Sequence, residues 1–171
     1  KDQIALDVGA NIGNHSVFFS KIFKRVFAFE PNPVTYEVLK INSKYASEQK
    51  NIEPLNFGLS NFDGTLPFLV NSSNIGGSSI VSGDHDLDNT IEVKVKKLDD
   101  LELSGLENIS LIKIDVEGHE LDALKGAKNT LKKHMPAILF EQQASEISDG
   151  TSDVIKFLED FGYDFYTIKK N

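Results

Sequence analysis

The spacing of apolar residues changes several times along the chain, and each change marks an element boundary. Ile4-Ala5-Leu6-Asp7-Val8 is a short apolar run closed by glycine, and after Gly13 the residues Phe18, Phe19, Ile22 and Phe23 recur at helical spacing. That pattern predicts a strand, a tight turn and a helix. Arg25 to Glu30 forms a second strand-like run, stopped by Pro31 and Pro33. Val34, Val38, Ile41 and Tyr45 then fall on one helical face, and Ile52 to Phe57 reads as a third strand. Strands separated by helices of this length predict right-handed βαβ crossovers and a parallel sheet.

The middle of the chain follows another rule. Asn61-Phe62-Asp63-Gly64 is a turn signal between segments of strand character, Thr65 to Val70 and Thr90 to Lys97. The second of these alternates Ile91, Val93 and Val95 with Glu92, Lys94 and Lys96, so an antiparallel pair is expected. Asn71 to Asn89 lies between them, rich in Ser, Gly, Asn and Asp and too long for a plain connector; a lid or a mobile segment is expected there. The βα rhythm resumes with a strand at Ser110 to Val116, one helix carrying Leu121, Leu124, Ala127 and Leu131, and a strand at Ala137 to Glu141. Val154, Leu158 and Phe161 mark a last helix, ended by Gly162, and Tyr163 to Ile168 reads as a final strand. The fold class expected is α/β, a doubly wound, mostly parallel sheet with an inserted antiparallel strand pair, built as one domain over residues 1–171.

Composition narrows the function. With 40% hydrophobic and 26% charged residues the chain has an ordinary globular make-up, and it holds no apolar run of the roughly 18 residues a membrane span needs. A net charge of -8 opposes nucleic-acid backbones, so no nucleic-acid partner is expected. Cysteine is absent, which removes disulfides and thiolate chemistry and fits a reducing compartment, the cytoplasm. Lys1 to Ala5 runs straight into a buried-strand pattern, so no targeting segment is expected within these residues.

The chemistry begins at the turn after that strand. Leu6-Asp7-Val8-Gly9-Ala10-Asn11-Ile12-Gly13 places Gly9 and Gly13 between strand and helix, at the carboxyl end of the sheet where open α/β folds bind ligands. A dinucleotide fingerprint would require glycine where Asn11 and Asn14 stand, so that backbone can approach a pyrophosphate. Asp7 beside the turn repels phosphate and suits an ammonium group. S-adenosylmethionine carries that ammonium and no phosphate. Glu30 ends the second strand about twenty residues on, where an acidic side chain accepts hydrogen bonds from ribose hydroxyls.

These motifs resemble one family. The glycine run from Leu6 to Gly13, Glu30-Pro31-Asn32, Gly58-Leu59-Ser60, Gly77-Ser78-Ser79, Leu98-Asp99 and above all Lys113-Ile114-Asp115-Val116-Glu117-Gly118-His119-Glu120 are similar to FkbM-type methyltransferases, from Ile4 to about Tyr163. The resemblance implies S-adenosylmethionine as cofactor, held by Asp7, Gly9, Asn11, Gly13, Glu30, Pro31, Asn32, Gly58 and Leu59. It also implies a hydroxyl acceptor on a saccharide or secondary-metabolite scaffold. Such domains usually carry an N-terminal helical segment over the cofactor, whereas this chain begins at the first strand; a missing segment is therefore expected. His119 stands where the family motif often has a small residue.

Methyl transfer is an in-line displacement, so the protein must position the acceptor and receive a proton from a hydroxyl. Asp115, Glu117 and His119 lie at the carboxyl end of the strand before them and are the candidate catalytic residues, Asp115 first. Lys113 alternates with Ile112 and Ile114, so its side chain could point to the opposite face or serve the site. Charge at a helix start is the plainer role for Glu117 and Glu120. Asp115, Glu117, His119 and Glu141 are carboxylates and imidazole of the kind that hold a hard cation, but their spacing is not diagnostic, and no metal is expected. N-methyl transfer on the same scaffold, or S-adenosylmethionine binding without turnover, are the alternatives; an oxidoreductase is disfavoured by Asn11.

Overall fold

Five parallel strands carry the site. In chain order these are β1 (Ile4–Val8), β2 (Arg25–Phe29), β3 (Ile52–Leu55), β8 (Ile109–Ile114) and β9 (Ala137–Phe140), arranged β3-β2-β1-β8-β9. The computed structural model describes residues 2–70, 79–80, 90–103, 106–142, 147 and 150–167, in two compact units, Lys1–Glu141 and Gln142–Asn171. All five residues of β1 are buried, as a central strand covered on both faces requires. From β1 the sheet grows to β2 on one side and to β8 on the other, which opens a crevice at the carboxyl ends where the strand order reverses.

The helices α1 (Asn14–Ser20) and α2 (Pro33–Tyr45) provide the crossovers from β1 to β2 and from β2 to β3. The apolar stripe expected to face inward on α2 faces solvent instead. Val34 and Tyr45 are 72% and 75% exposed, and Val38 and Ile41 are exposed too, while Thr35, Leu39 and Ser43 are buried. Close approach decides this. Leu39 packs with Ala10 and Ala28, and its Cδ1 would lie 2.6 Å from a Cβ at Gly13. Asn42 donates to the Ile12 carbonyl at 2.7 Å. Small and polar residues let the helix settle on the glycine turn, and that fit outweighs the hydropathy of the other face.

A second sheet has the order β4-β7-β5-β6, with β4 at Gly58–Leu59, β5 at Gly64–Leu69, β6 at Ser79–Ile80 and β7 at Thr90–Lys96. The antiparallel pair expected in this region is β5 with β7, in register from Gly64↔Val95 to Leu69↔Thr90. The strand expected over 52–57 stops at Leu55, and Gly58–Leu59 joins the second sheet parallel to β7. Of the lid expected over Asn71 to Asn89, β6 is described; residues 71–78 and 81–89 lie outside the described residues.

The single helix expected across Leu121 to Leu131 is two, α3 (Glu120–Lys125) and α4 (Lys128–His134). They part at Gly126, where a Cβ would come within 1.9 Å of the Ser60 carbonyl oxygen. Asp99, in the short 3₁₀ turn Leu98–Asp100, caps α4 by accepting from the amides of Asn129 and Thr130 at 2.7 and 2.9 Å. In the second unit α5 (Asp153–Glu159) starts at the Ser152 cap and ends before Gly162, whose φ of +83 stops it. No strand forms over Tyr163–Thr167; Ile168 lies outside the described residues. Among the described residues no helix is long and apolar enough to cross a membrane.

Candidate active site

The carboxyl ends of β1, β2 and β8 open onto a cleft, the place where open α/β sheets bind their ligands. Gly9 and Asn11 line it from the turn after β1. Glu30, Pro31 and Asn32 line it from the segment after β2, Gly58 and Leu59 from β4, and Asp115 and Glu117 from the loop after β8. Asp7, Gly13 and His119 are not among its lining residues.

The turn is shaped by contacts that exclude side chains. Gly9 has a φ of +74, and a Cβ there would lie 1.9 Å from the carbonyl oxygen of Asp115. The backbones just past β1 and β8 thus run side by side at near contact, and the Asp115 amide donates to the Val8 carbonyl at 3.0 Å. Asn11 also has positive φ, 52°, a conformation asparagine tolerates better than most residues. Its Oδ1 accepts from the Ile12 amide at 2.7 Å.

Glu30 faces this turn. Its Oε2 accepts from the Asn11 amide and its Oε1 from the Asn32 amide, both at 2.9 Å. The side chain of Asn32 caps α2 through the Val34 amide, and Asn56 Nδ2 holds the carbonyls of Glu30 and Pro31. Burial pushes the Glu30 carboxyl up to about 7, against the two backbone bonds that favour its charged form.

Behind the turn lies a buried ion cluster. Asp7 is fully buried; its Oδ2 accepts from Ser16 Oγ at 2.6 Å, and its Oδ1 is 3.3 Å from Lys113 Nζ. Lys113, directly opposite Asp7 in the β1–β8 register, also donates to the Gly9 carbonyl at 3.0 Å and lies 3.3 Å from Asp115 Oδ2. Asp7 therefore shapes the turn from below, and Lys113 points to the side of the sheet that carries the turn rather than away from it. A lysine in a central apolar strand needs a buried carboxylate partner; that rule, applied to neighbouring strands, is the signal that reveals this pair.

The loop after β8 turns through two positive φ values, 49° at Glu117 and 90° at Gly118. Glu120 is buried, and its Oε1 accepts from the Val116 and Gly118 amides at 3.3 and 3.2 Å, so it braces the loop in addition to placing charge at a helix start. His119, the residue before α3, sits with Nε2 3.0 Å from Ser60 Oγ and Nδ1 3.8 Å from Asp122. Burial holds its pKa below the ordinary value. It thus joins the β8 loop to the end of β4. Glu141 is exposed and away from the cleft lining. Among the described residues no group of three His, Asp or Glu is placed to hold a metal ion. Thr35 and Phe68 also line the cleft; neither carries a motif, and only the tertiary fold brings them there.

The Methyltransferase FkbM domain model matches residues 7–165. The chain belongs to the FkbM methyltransferase family. The FkbM chain is 38% identical to a hexuronic acid methyltransferase, AglP, of Haloferax volcanii over 77% of its own length and 53% of that protein's. It is 30% identical to a 2-O-methyltransferase, NoeI, of Sinorhizobium fredii, over 77% of this chain and 60% of the other. Methyltransferase sdnD of Sordaria araneosa is also 30% identical, with 93% and 73% covered. The FkbM chain spans about half the length of the first of these relatives. In fold it is similar to the crystal structure of an FkbM methyltransferase from Methylobacillus flagellatus, with a TM-score of 0.58 and 22% identity over 81% of this chain and 32% of that one.

Proposed function

We propose that this domain binds S-adenosylmethionine in the cleft and transfers its methyl group to a hydroxyl of a saccharide or a similarly hydroxylated scaffold. One observation carries the reading: Glu30, Asp115 and Glu117 line the same cleft, and among the described lining residues there is no Lys, Arg or His. With Asp115 paired to Lys113 behind the wall, the lining still offers a pyrophosphate no cationic side chain of its own and suits a ligand bearing cationic and hydroxyl groups. When bound, S-adenosylmethionine supplies an electrophilic methyl group on a positively charged sulfur.

The chain's own residues divide the work. Glu30 is held by two backbone amides and retains acceptor capacity for a ribose diol. Gly9, Asn11, Pro31, Asn32, Gly58 and Leu59 form the walls on the cofactor side. Asp115 and Glu117 orient the acceptor hydroxyl, and Asp115 is the first choice to receive its proton. Asp7 acts from beneath the turn and His119 through Ser60, as positioning groups.

The names of the relatives support a saccharide acceptor, since one acts on a hexuronic acid and another methylates a 2-hydroxyl. The test is transfer of isotopically labelled methyl from S-adenosylmethionine to a panel of saccharides, with the site of methylation assigned by NMR. Label on a sugar oxygen supports the reading; label on nitrogen alone, with every hydroxyl acceptor unmodified, overturns its acceptor half.

A further inference from the structure

Lys113 joins both halves of the cleft with one atom. Its side chain is 6% exposed, yet its ammonium donates to the Gly9 carbonyl at 3.0 Å and forms ion pairs with Asp7 Oδ1 and Asp115 Oδ2, each at 3.3 Å. Gly9 belongs to the turn that lines the cofactor side, and Asp115 to the loop that lines the acceptor side. Asp7 is fixed in turn by Ser16 of α1.

We propose that Lys113 is a positioning residue for methyl transfer, holding the Gly9 turn and the Asp115 carboxylate at one set separation. The inference rests on the reading of the cleft as a cofactor and acceptor site. A buried ammonium has no reason to sit here for packing alone, because its burial is tolerable only when its partners are charged or polar and close. Two of those partners are parts of the cleft wall. The Asp115 side chain is 41% exposed, so without Lys113 its carboxylate has open water to swing into. In-line transfer is sensitive to displacements of about 1 Å, which are worth on the order of 10²-fold in rate.

The test compares Lys113→Met with Asp7→Asn/Lys113→Met in the full chain. The double variant removes both buried charges and guards against the case in which the single variant fails to fold around an unpaired Asp7. Three quantities are read: turnover against acceptor KM, affinity for S-adenosylhomocysteine by calorimetry, and amide hydrogen exchange over Asp115 to Gly118. The expected result in a cooperatively folded variant is a fall in turnover on the order of 10²-fold with little change in acceptor KM. Weaker S-adenosylhomocysteine binding and faster exchange over Asp115 to Gly118 should accompany it, while exchange over Val26 to Phe29 stays as in the wild type. A lowered melting temperature with wild-type turnover, affinity and loop exchange would make Lys113 merely structural and overturn the proposal. If the wild type itself neither binds S-adenosylhomocysteine nor transfers methyl, the reading of the cleft fails, and loop exchange still judges whether Lys113 holds Asp115 in place.

Discussion

The backbone amide of Asn11 donates to Glu30 Oε2 at 2.9 Å, tying the turn after β1 to the segment after β2 through a side chain rather than through the sheet. Asn11 has a left-handed backbone in the same turn, with a φ of 52°. Glu30 is therefore a spacer of the turn as well as a carboxylate facing the cleft, and its protonation state matters to both roles.

The Glu30 carboxyl is raised by burial from 4.5 to about 7. Hydroxyl donors from a ligand favour its ionised form, so affinity for S-adenosylhomocysteine should fall as pH drops below about 7, approaching tenfold per pH unit. Stability of the ligand-free protein moves the other way. Between about 4.5 and 7 the folded chain holds a proton at Glu30 that the unfolded chain has released, so this group's contribution to stability is lost as pH rises through that window. The full shift corresponds to about 3 kcal/mol. Calorimetry and thermal melts across pH 5 to pH 8 check both signs, and Glu30→Gln should flatten both profiles.

Gly9→Ala should be far costlier than Gly118→Ala, although both glycines have positive φ. At Gly118 a Cβ meets nothing within 4 Å, leaving only the conformational cost of about 1–2 kcal/mol. At Gly9 it meets the Asp115 carbonyl oxygen at 1.9 Å, which forces β1 and β8 apart at the cleft. Denaturant titration should put the Gly9 variant several kcal/mol below wild type, on the scale of severe backbone strain. Equal destabilisation of the two variants would mean that the strand ends yield easily.

The alternation of strand and helix was legible because it follows periodicity, and so was the turn that gathers Gly9, Asn11 and Glu30. What periodicity misses are features set by close approach between distant segments. The inner face of α2 is chosen by the fit of Leu39 and Asn42 against the turn, and the break at Gly126 by the Ser60 carbonyl. Tyr163 and the residues after it have strand composition, yet composition cannot supply a neighbouring ladder. The side taken by Lys113 stayed open because strand alternation says that successive residues face opposite ways but not which way carries the turn. His119 lies one residue from the loop glycine, but its contact with Ser60 depends on β4 leaving the main sheet.

Glu120 braces the acidic loop through the Val116 and Gly118 amides. Glu120→Ala should cost about 0.5–1.5 kcal/mol of stability, the net contribution of a typical hydrogen bond, and should lower turnover by loosening Asp115 and Glu117. Glu120→Gln keeps an acceptor oxygen and should recover most of both. Paired melting and rate measurements decide it, and an Ala variant with wild-type values would remove the bracing role.

Asp115→Asn retains shape and a carbonyl oxygen while removing charge and basicity. Turnover should fall on the order of 10²-fold or more if the carboxylate receives the acceptor proton, with little change in S-adenosylhomocysteine affinity. A loss of affinity in proportion to activity would instead place Asp115 in the cofactor shell.

The nature of the cleft is tested most directly by calorimetric titration of the protein with S-adenosylhomocysteine and, separately, with NAD. Saturable binding of S-adenosylhomocysteine is expected, weakened by about 1.5–3 kcal/mol in Glu30→Ala through loss of charge-assisted hydrogen bonds, with no binding of NAD. Tight NAD binding with no response to the adenosyl ligand would contradict the assignment of this acidic cleft to S-adenosylmethionine.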